Sequence, residues 1–227
     1  MSDFDTLNAI LSARYSCRAF LPDDVTQDTI TDIAQAAQKV PSWCNAQPWQ
    51  LTITSGQATD RFRDALFAHA LTNAPKPDLE WPSSYIGVYK DRRRACGIQL
   101  YGAVGVEKGD HAASAKQMME NYRLFGAPHV AIVTSPAELG PYGAMDCGGF
   151  VTAFALAAAA KGVASIAQAA VAAHAPMVRD HFALPDDRLI LCAISFGYAD
   201  TDHPANSFRT QREIPDTVID WNICCAP

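Results

Sequence analysis

The chain is short of the features that mark a membrane, metal or nucleic-acid protein. No apolar run reaches the roughly eighteen residues of a spanning helix. The longest stretch, Phe150 to Ala160, is Ala-rich and too short. Positive charge is scarce: 18 Lys and Arg face 24 Asp and Glu, a net charge of −6, so a phosphate backbone is not the expected partner. The seven cysteines are Cys17, Cys44, Cys96, Cys147, Cys192, Cys224 and Cys225, and none forms a Cys-x-x-Cys pair. A zinc site is therefore not expected, and reduced thiols in a cytoplasm fit best. Cys224-Cys225 reads as a frayed tail rather than a redox pair. No basic segment followed by an apolar one opens the chain, so no signal peptide is expected. There is no Gly-x-Ser-x-Gly elbow, and Gly102-Ala103-Val104-Gly105 lacks the glycine spacing of a dinucleotide turn. Repeats, low-complexity segments and linkers are also missing.

What is present is an ordinary core composition, 49% hydrophobic and 19% charged over 227 residues, enough for a single domain spanning 1–227. Two polar stretches stand out. Arg14-Tyr15-Ser16-Cys17-Arg18 sets two guanidiniums and a hydroxyl on alternate residues. In extended chain these point to one side and can converge on one anion. Arg suits a phosphate that must be gripped bidentately. The second stretch, Pro41-Ser42-Trp43-Cys44-Asn45-Ala46-Gln47-Pro48-Trp49, is a Pro-bounded loop offering hydroxyl and amides to a flat heterocycle. Taken singly, each Arg is more often a solvated charge and Trp49 plain core; the ordered pair of motifs is what those accounts leave unexplained.

Arg-x-Ser-x-Arg followed by Pro-Ser-x-x-Asn-x-Gln-Pro-Trp resembles the opening of the FMN-dependent nitroreductase family, nearest its nitrobenzoate-reductase-like branch. The resemblance implies an α+β, three-layer fold: a mostly antiparallel central sheet flanked by helices, in an intertwined homodimer. It implies FMN shared between two subunits, with Arg14, Tyr15, Ser16, Arg18, Arg209 and Arg212 toward the phosphate. Pro41, Ser42, Asn45, Gln47, Asn121 and Arg123 would serve the ring and its polar edges. Backbone N–H groups around Gln168, Ala169 and Ala170 would lie beside the reactive flavin nitrogen. Trp43 and Cys44 are bulkier than the residues usual in that loop, which bears on the shape of the acceptor pocket.

Elsewhere the pattern is helical over 5–13, 27–40, 57–71, 85–101, 110–125 and 143–162. Asp5 or Thr6 can cap the first of these helices and Thr26 the second. Pro41 is expected to stop the second helix. Strands are expected over 50–55, 129–134 and 189–196. The Pro-rich segment 72–84 reads as a loop of the kind that forms lids. Arg92-Arg93-Arg94 reads first as a solvated face, second as a site for an acidic substrate or a nicotinamide phosphate. His181 reads as a packed helix histidine.

The expected chemistry is ping-pong: NADH or NADPH delivers hydride to the flavin, then an electron-poor acceptor (a nitroaromatic or quinone) takes it. No side-chain nucleophile or other catalytic residue is called for, because the flavin carries the reaction. The alternatives are a flavin-binding protein without turnover, a dimer that has lost its cofactor, or a same-fold enzyme of another reaction such as enone reduction or dehalogenation.

Overall fold

The computed structural model describes residues 2–222, so Cys224 and Cys225 lie outside the described residues. Four strands carry the fold: β1 (Gln50–Thr54), β2 (His129–Pro136), β3 (Ala164–Gln168) and β4 (Arg188–Gly197). They form one sheet in the order β1-β2-β4-β3, every pairing antiparallel. The helices are α1 (Asp3–Ala13), α2 (Gln27–Ala37), α3 (Gln57–Thr72), α4 (Gly87–Ala103), α5 (His111–Met119), α6 (Gly140–Ala160), α7 (Ala169–Ala172) and α8 (Ala175–Phe182).

Alternation along β2 builds the layers. Val130 and Ile132 face a cluster with Phe62 and Leu66 of α3 and Val178 of α8. Ala131 and Val133 face the opposite cluster, with Ile33 of α2 and Phe150 and Phe154 of α6. Successive strand residues point to opposite faces, so one β-branched run serves two cores. The result is helix, sheet, helix. Each fully buried Phe of these clusters contributes about 1.5–3 kcal/mol.

Several boundaries differ from the sequence expectation. The α1 cap is Ser2, whose Oγ accepts from the Asp5 N–H at 3.1 Å while the Asp5 carboxylate accepts from the Ser2 N–H at 2.9 Å. Asp5 is thus the third residue of a capping box rather than the cap. Thr26 does cap α2, but that helix ends at Ala37, ahead of Pro41. The helix expected over 110–125 stops at Met119: beyond it the backbone makes tighter turns, with the Tyr122 N–H on the Met119 carbonyl and the Arg123 N–H on the Glu120 carbonyl, and Leu124 and Phe125 then take left-handed φ of 57° and 53°. Two elements to which no sequence expectation was attached follow α6: β3 and α7.

The membrane expectation also needs correction. Ala137–Ala160 is long and apolar enough to cross a bilayer by length and composition. It extends N-terminally past Phe150 through Pro141, tolerated in a first turn. Cys147, Phe150, Phe154 and Ala158 of this helix are buried in the sheet-facing core. Burial pushes the thiols of Cys147 and Cys192 up to about 11 and about 12, so both stay protonated at neutral pH.

The 72–84 loop is not free along its length. Asp78 accepts from Arg179 of α8 at 2.6 Å and from the Ile190 N–H of β4 at 2.8 Å. The Lys76 N–H donates to the Ala173 carbonyl at 2.6 Å. Its first half is therefore fastened to α8, to the end of α7 and to β4.

His129 opens β2 fully buried, accepting from the Val25 N–H at 2.9 Å with Nδ1 3.3 Å from the Thr54 carbonyl. Burial holds its pKa, and that of His174, below the ordinary value. The unfolded chain therefore binds the proton first as pH falls through about 6.5. Stability is full above that pH and declines toward pH 5. A melting series from pH 8 to pH 5 is expected to show a falling Tm; a Tm that held or rose on acidification would contradict this.

Candidate active site

At Arg14 the chain leaves α1, its N–H still bonded to the Ile10 carbonyl at 3.0 Å and its ψ of 129° turning the backbone extended. Ser16 then forms an isolated parallel bridge with Ser165 of β3, and the Cys17 N–H donates to the Ser165 carbonyl at 3.1 Å. Cys17 is fully buried with Phe20, Phe125, Ala127 and Ile166. Arg14, Ser16 and Arg18 open the other way, into a cavity of about 510 Å³. The tail supplies the facing wall with Phe208, Arg209, Thr210 and Arg212. Tyr15 lines the same cavity, so the segment does not divide cleanly by alternation, but four guanidiniums distant in sequence share one space.

Asn206 makes that meeting possible. Buried at 4% exposure, it accepts from the Arg18 N–H at 2.7 Å and donates to the carbonyls of Ala19 and Asp200 at 2.9 and 2.7 Å. It clamps the tail to the strand after α1. Sequence reasoning passed over it, because an Asn beside an Arg motif carries no signal of a partner so distant in the chain.

None of the six ion pairs among the described residues involves Arg14, Arg18, Arg209 or Arg212. Three of these side chains are seen to lean on carbonyls and rings instead. Arg18 Nη1 donates to the Ser16 carbonyl at 3.1 Å, and its Cζ lies 5.7 Å from the Phe208 ring centroid. Arg209 sits 3.6 Å over the Tyr15 ring and donates to the Asn206 carbonyl at 2.7 Å. Arg212 donates to the Thr210 hydroxyl at 2.8 Å and to the Gln211 carbonyl at 3.0 Å. Burial lowers the pKa of Arg18 and raises that of Tyr15. Arg14 and Arg18 are partly buried, whereas Arg209 and Arg212 are exposed; for the partly buried pair a charge without a carboxylate is costly to keep, and an anion beside it relieves that cost.

The Pro41–Trp49 loop lies apart from this cavity. Cys44, Asn45 and Gln47 have φ of 49°, 57° and 48°. Left-handed backbone at non-glycine residues stores roughly 1–3 kcal/mol each and needs outside support. Support comes from Asp146 of α6, which accepts from the Trp43 N–H at 3.0 Å, and from Ser42, whose Oγ accepts from the Gln47 N–H at 2.9 Å. The Trp43 ring also packs against Tyr142 of α6 at 4.5 Å. Pro41, Asn45 and Gln47 remain exposed. Asp146 was another residue that sequence reasoning missed.

The residues expected at the ring edge divide. Gln168, 3% exposed, spends its side chain on structure: Nε2 donates to the Asn121 carbonyl at 2.9 Å and Oε1 accepts from Ser195 at 2.5 Å. Only its main chain is left for a ligand. Ala169 and Ala170 open α7, where first-turn N–H groups have no intrahelical acceptor. The Asn121 side chain donates to the Met118 carbonyl at 3.0 Å. Arg123 stacks 4.1 Å over Phe67 of α3 and lies 3.7 Å from Glu120, outside the cradle.

The chain as a whole resembles known proteins. The nitroreductase family model matches residues 11–198. The chain is 34% identical to nitroreductase NfnB of Mycolicibacterium smegmatis over 207 residues, covering 89% of this chain and 87% of that protein. It is 31% identical to 4-nitrobenzoate reductase of Pseudomonas putida over 213 residues, 92% of each. The crystal structure of FMN-dependent nitroreductase NfnB from Mycobacterium smegmatis in complex with NADPH superposes with a TM-score of 0.92 at 30% identity, covering 97% of this chain and 100% of that one. An antiparallel sheet between helical layers, the paired N-terminal motifs and likeness over nearly the full length converge: the chain belongs to the nitroreductase family.

Proposed function

We propose that the protein is an FMN-dependent NAD(P)H oxidoreductase that reduces nitroaromatics, quinones and similar electron-poor acceptors. The carrying observation is the convergence of four guanidiniums, none with a carboxylate partner among the described residues, on one cavity. That donor set fits a phosphate dianion. Arg14, Ser16, Arg18, Arg209 and Arg212 would hold the phosphate, with Tyr15 carrying Arg209 against it. When bound, FMN supplies hydride acceptance from the nicotinamide and two-electron delivery to the acceptor. The first-turn N–H groups of Ala169 and Ala170 would orient the ring, and Asn121 and Gln168 brace the segment that presents them.

The reading includes a homodimer, one flavin-binding domain over the whole chain and a cytoplasmic location. No residue of α1 is buried, and its Phe4, Leu7 and Leu11 are exposed, as are Tyr142 and Met145 of α6. Such apolar faces suit a partner. A second copy would bring its Pro41–Trp49 loop to the ring, accounting for the separation of loop and cradle within one chain. Light scattering should give twice the chain mass of 24.5 kDa.

The purified protein is expected to be yellow, to bleach with NADH or NADPH under anaerobic conditions, and to recolour on adding a nitroarene. Colour without bleaching would reduce it to a flavin-binding protein; no colour would remove the reading.

Asp146 gives a second test, since its carboxylate anchors the strained loop. Asp146→Ala is expected to weaken FMN binding about tenfold, the value of one hydrogen bond to a charged group. Asp146→Asn keeps an acceptor oxygen and is expected to stay within about threefold. Fluorescence titration of apoprotein with FMN reads both; equal affinities for Ala and wild type would clear the loop of any role.

A further inference from the structure

We propose that a cleft between α4 and the tail binds the adenosine end of NADPH, and that Arg93 recognises its 2′-phosphate. The inference rests on the oxidoreductase reading above and adds a nucleotide subsite and a preference to it. The cleft measures about 830 Å³, and its walls include Tyr85, Tyr89, Arg92 and Arg93 on one side and Gln211 and Glu213 on the other. Cys96, Thr210 and Arg212 line both this cleft and the phosphate cradle, so the two are adjoining spaces.

The arginines of α4 differ in what they touch. Arg92 Nε is paired with Glu213 at 2.9 Å, which fastens the tail across the cleft and neutralises both groups. Arg93 has no ion pair among the described residues, and its Cζ lies 5.3 Å from the Tyr85 ring centroid. A guanidinium stacked on a ring keeps its donors in a plane, prepared for a bidentate anion. The protein as a whole carries −6. An uncompensated cation in a cleft of such a molecule therefore marks a local preference for anions.

A plainly solvated helix face would explain Arg93 alone. It does not explain the tail fastened opposite, nor two exposed tyrosines on the cleft wall. A small aromatic acid would satisfy the charge but fills a fraction of this volume. A nucleoside phosphate matches all three observations: rings for the base, a cation for the dianion, and a path toward the flavin cradle.

The test is steady-state kinetics of the flavin-loaded dimer with NADPH and NADH. Arg93→Ala is expected to lower kcat/KM for NADPH about 10- to 100-fold, the loss of charge-assisted bonds to one phosphate, and that for NADH less than about threefold. Arg93→Lys should recover part of the loss, and Arg94→Ala, outside the cleft lining, should leave the NADPH/NADH ratio unchanged. Adenosine 2′-monophosphate should compete with NADPH in the wild type and lose that potency in Arg93→Ala; adenosine 5′-monophosphate should not distinguish the two. Equal losses for both nucleotides, no loss, or an effect confined to KM of an acidic acceptor would overturn the proposal. Flavin absorbance separates the failures. Yellow, active protein indifferent to the 2′-phosphate defeats this subsite alone, whereas colourless protein defeats the reading beneath it as well.

Discussion

Arg18→Ala is expected to purify nearly colourless, with FMN affinity down by about two orders of magnitude. Arg18 has its backbone gripped by Asn206 and its guanidinium held between the Ser16 carbonyl and Phe208. In the proposed cradle its removal would take away one bidentate phosphate contact, worth about 1.5–3 kcal/mol. The same change should leave the melting temperature of the apoprotein unchanged or slightly raised, because an unpaired, half-buried charge is a liability without its anion. That pairing of outcomes discriminates between roles. A residue that only held the fold together would show the reverse, a lower Tm and retained colour. Arg18→Lys should keep the charge but not the fork, giving intermediate affinity. Fluorescence titration and calorimetry on apoprotein measure both, and full flavin retention in Arg18→Ala would end the case for the cradle.

The second large effect concerns stability. Asp78 and Arg179 have side chains each 15% exposed and meet at 2.6 Å. Asp78→Ala strands the Arg179 guanidinium, whose Nε is already buried without a partner, and strips the Ile190 N–H of its acceptor. Breaking one partner of such a pair costs about 3–5 kcal/mol. For a chain of this size that is a Tm drop of about 6–20 °C. The double change Asp78→Ala with Arg179→Leu should recover part of it, since no lone charge remains. Thermal melts of the three variants test this. A single-variant drop under about 3 °C would mean the loop is not fastened as described.

Much of the proposed site could be read from sequence because its signals are local. Alternation places Arg14, Ser16 and Arg18 on one side of an extended segment whatever the rest of the chain does, and the β-branched residues of β2 and the short apolar run of β4 leave little choice of element. The misses share a different cause. Asn206 and Asp146 act through partners far away in sequence, so no window around them reveals their work. The end of α5 was overread because left-handed turns at Leu124 and Phe125 occur without the Gly or Asn that would announce them. β3 went unseen as a strand because Ala and Ser carry no β signal; its pairing with β4 decides it. Gln168 was expected beside the ring, but its buried side chain turns inward and accepts from Ser195.

The clamp at Asn206 has a consequence for biosynthesis. The two halves of the proposed anion site lie far apart in sequence, so a nascent polypeptide halted before residue 206 would hold only Arg14 and Arg18. Capture of FMN by the proposed cradle would therefore wait until residues 206–212 have been made. Molecules trimmed just ahead of Asn206 would keep the four-stranded sheet yet have nothing to close over the nucleotide.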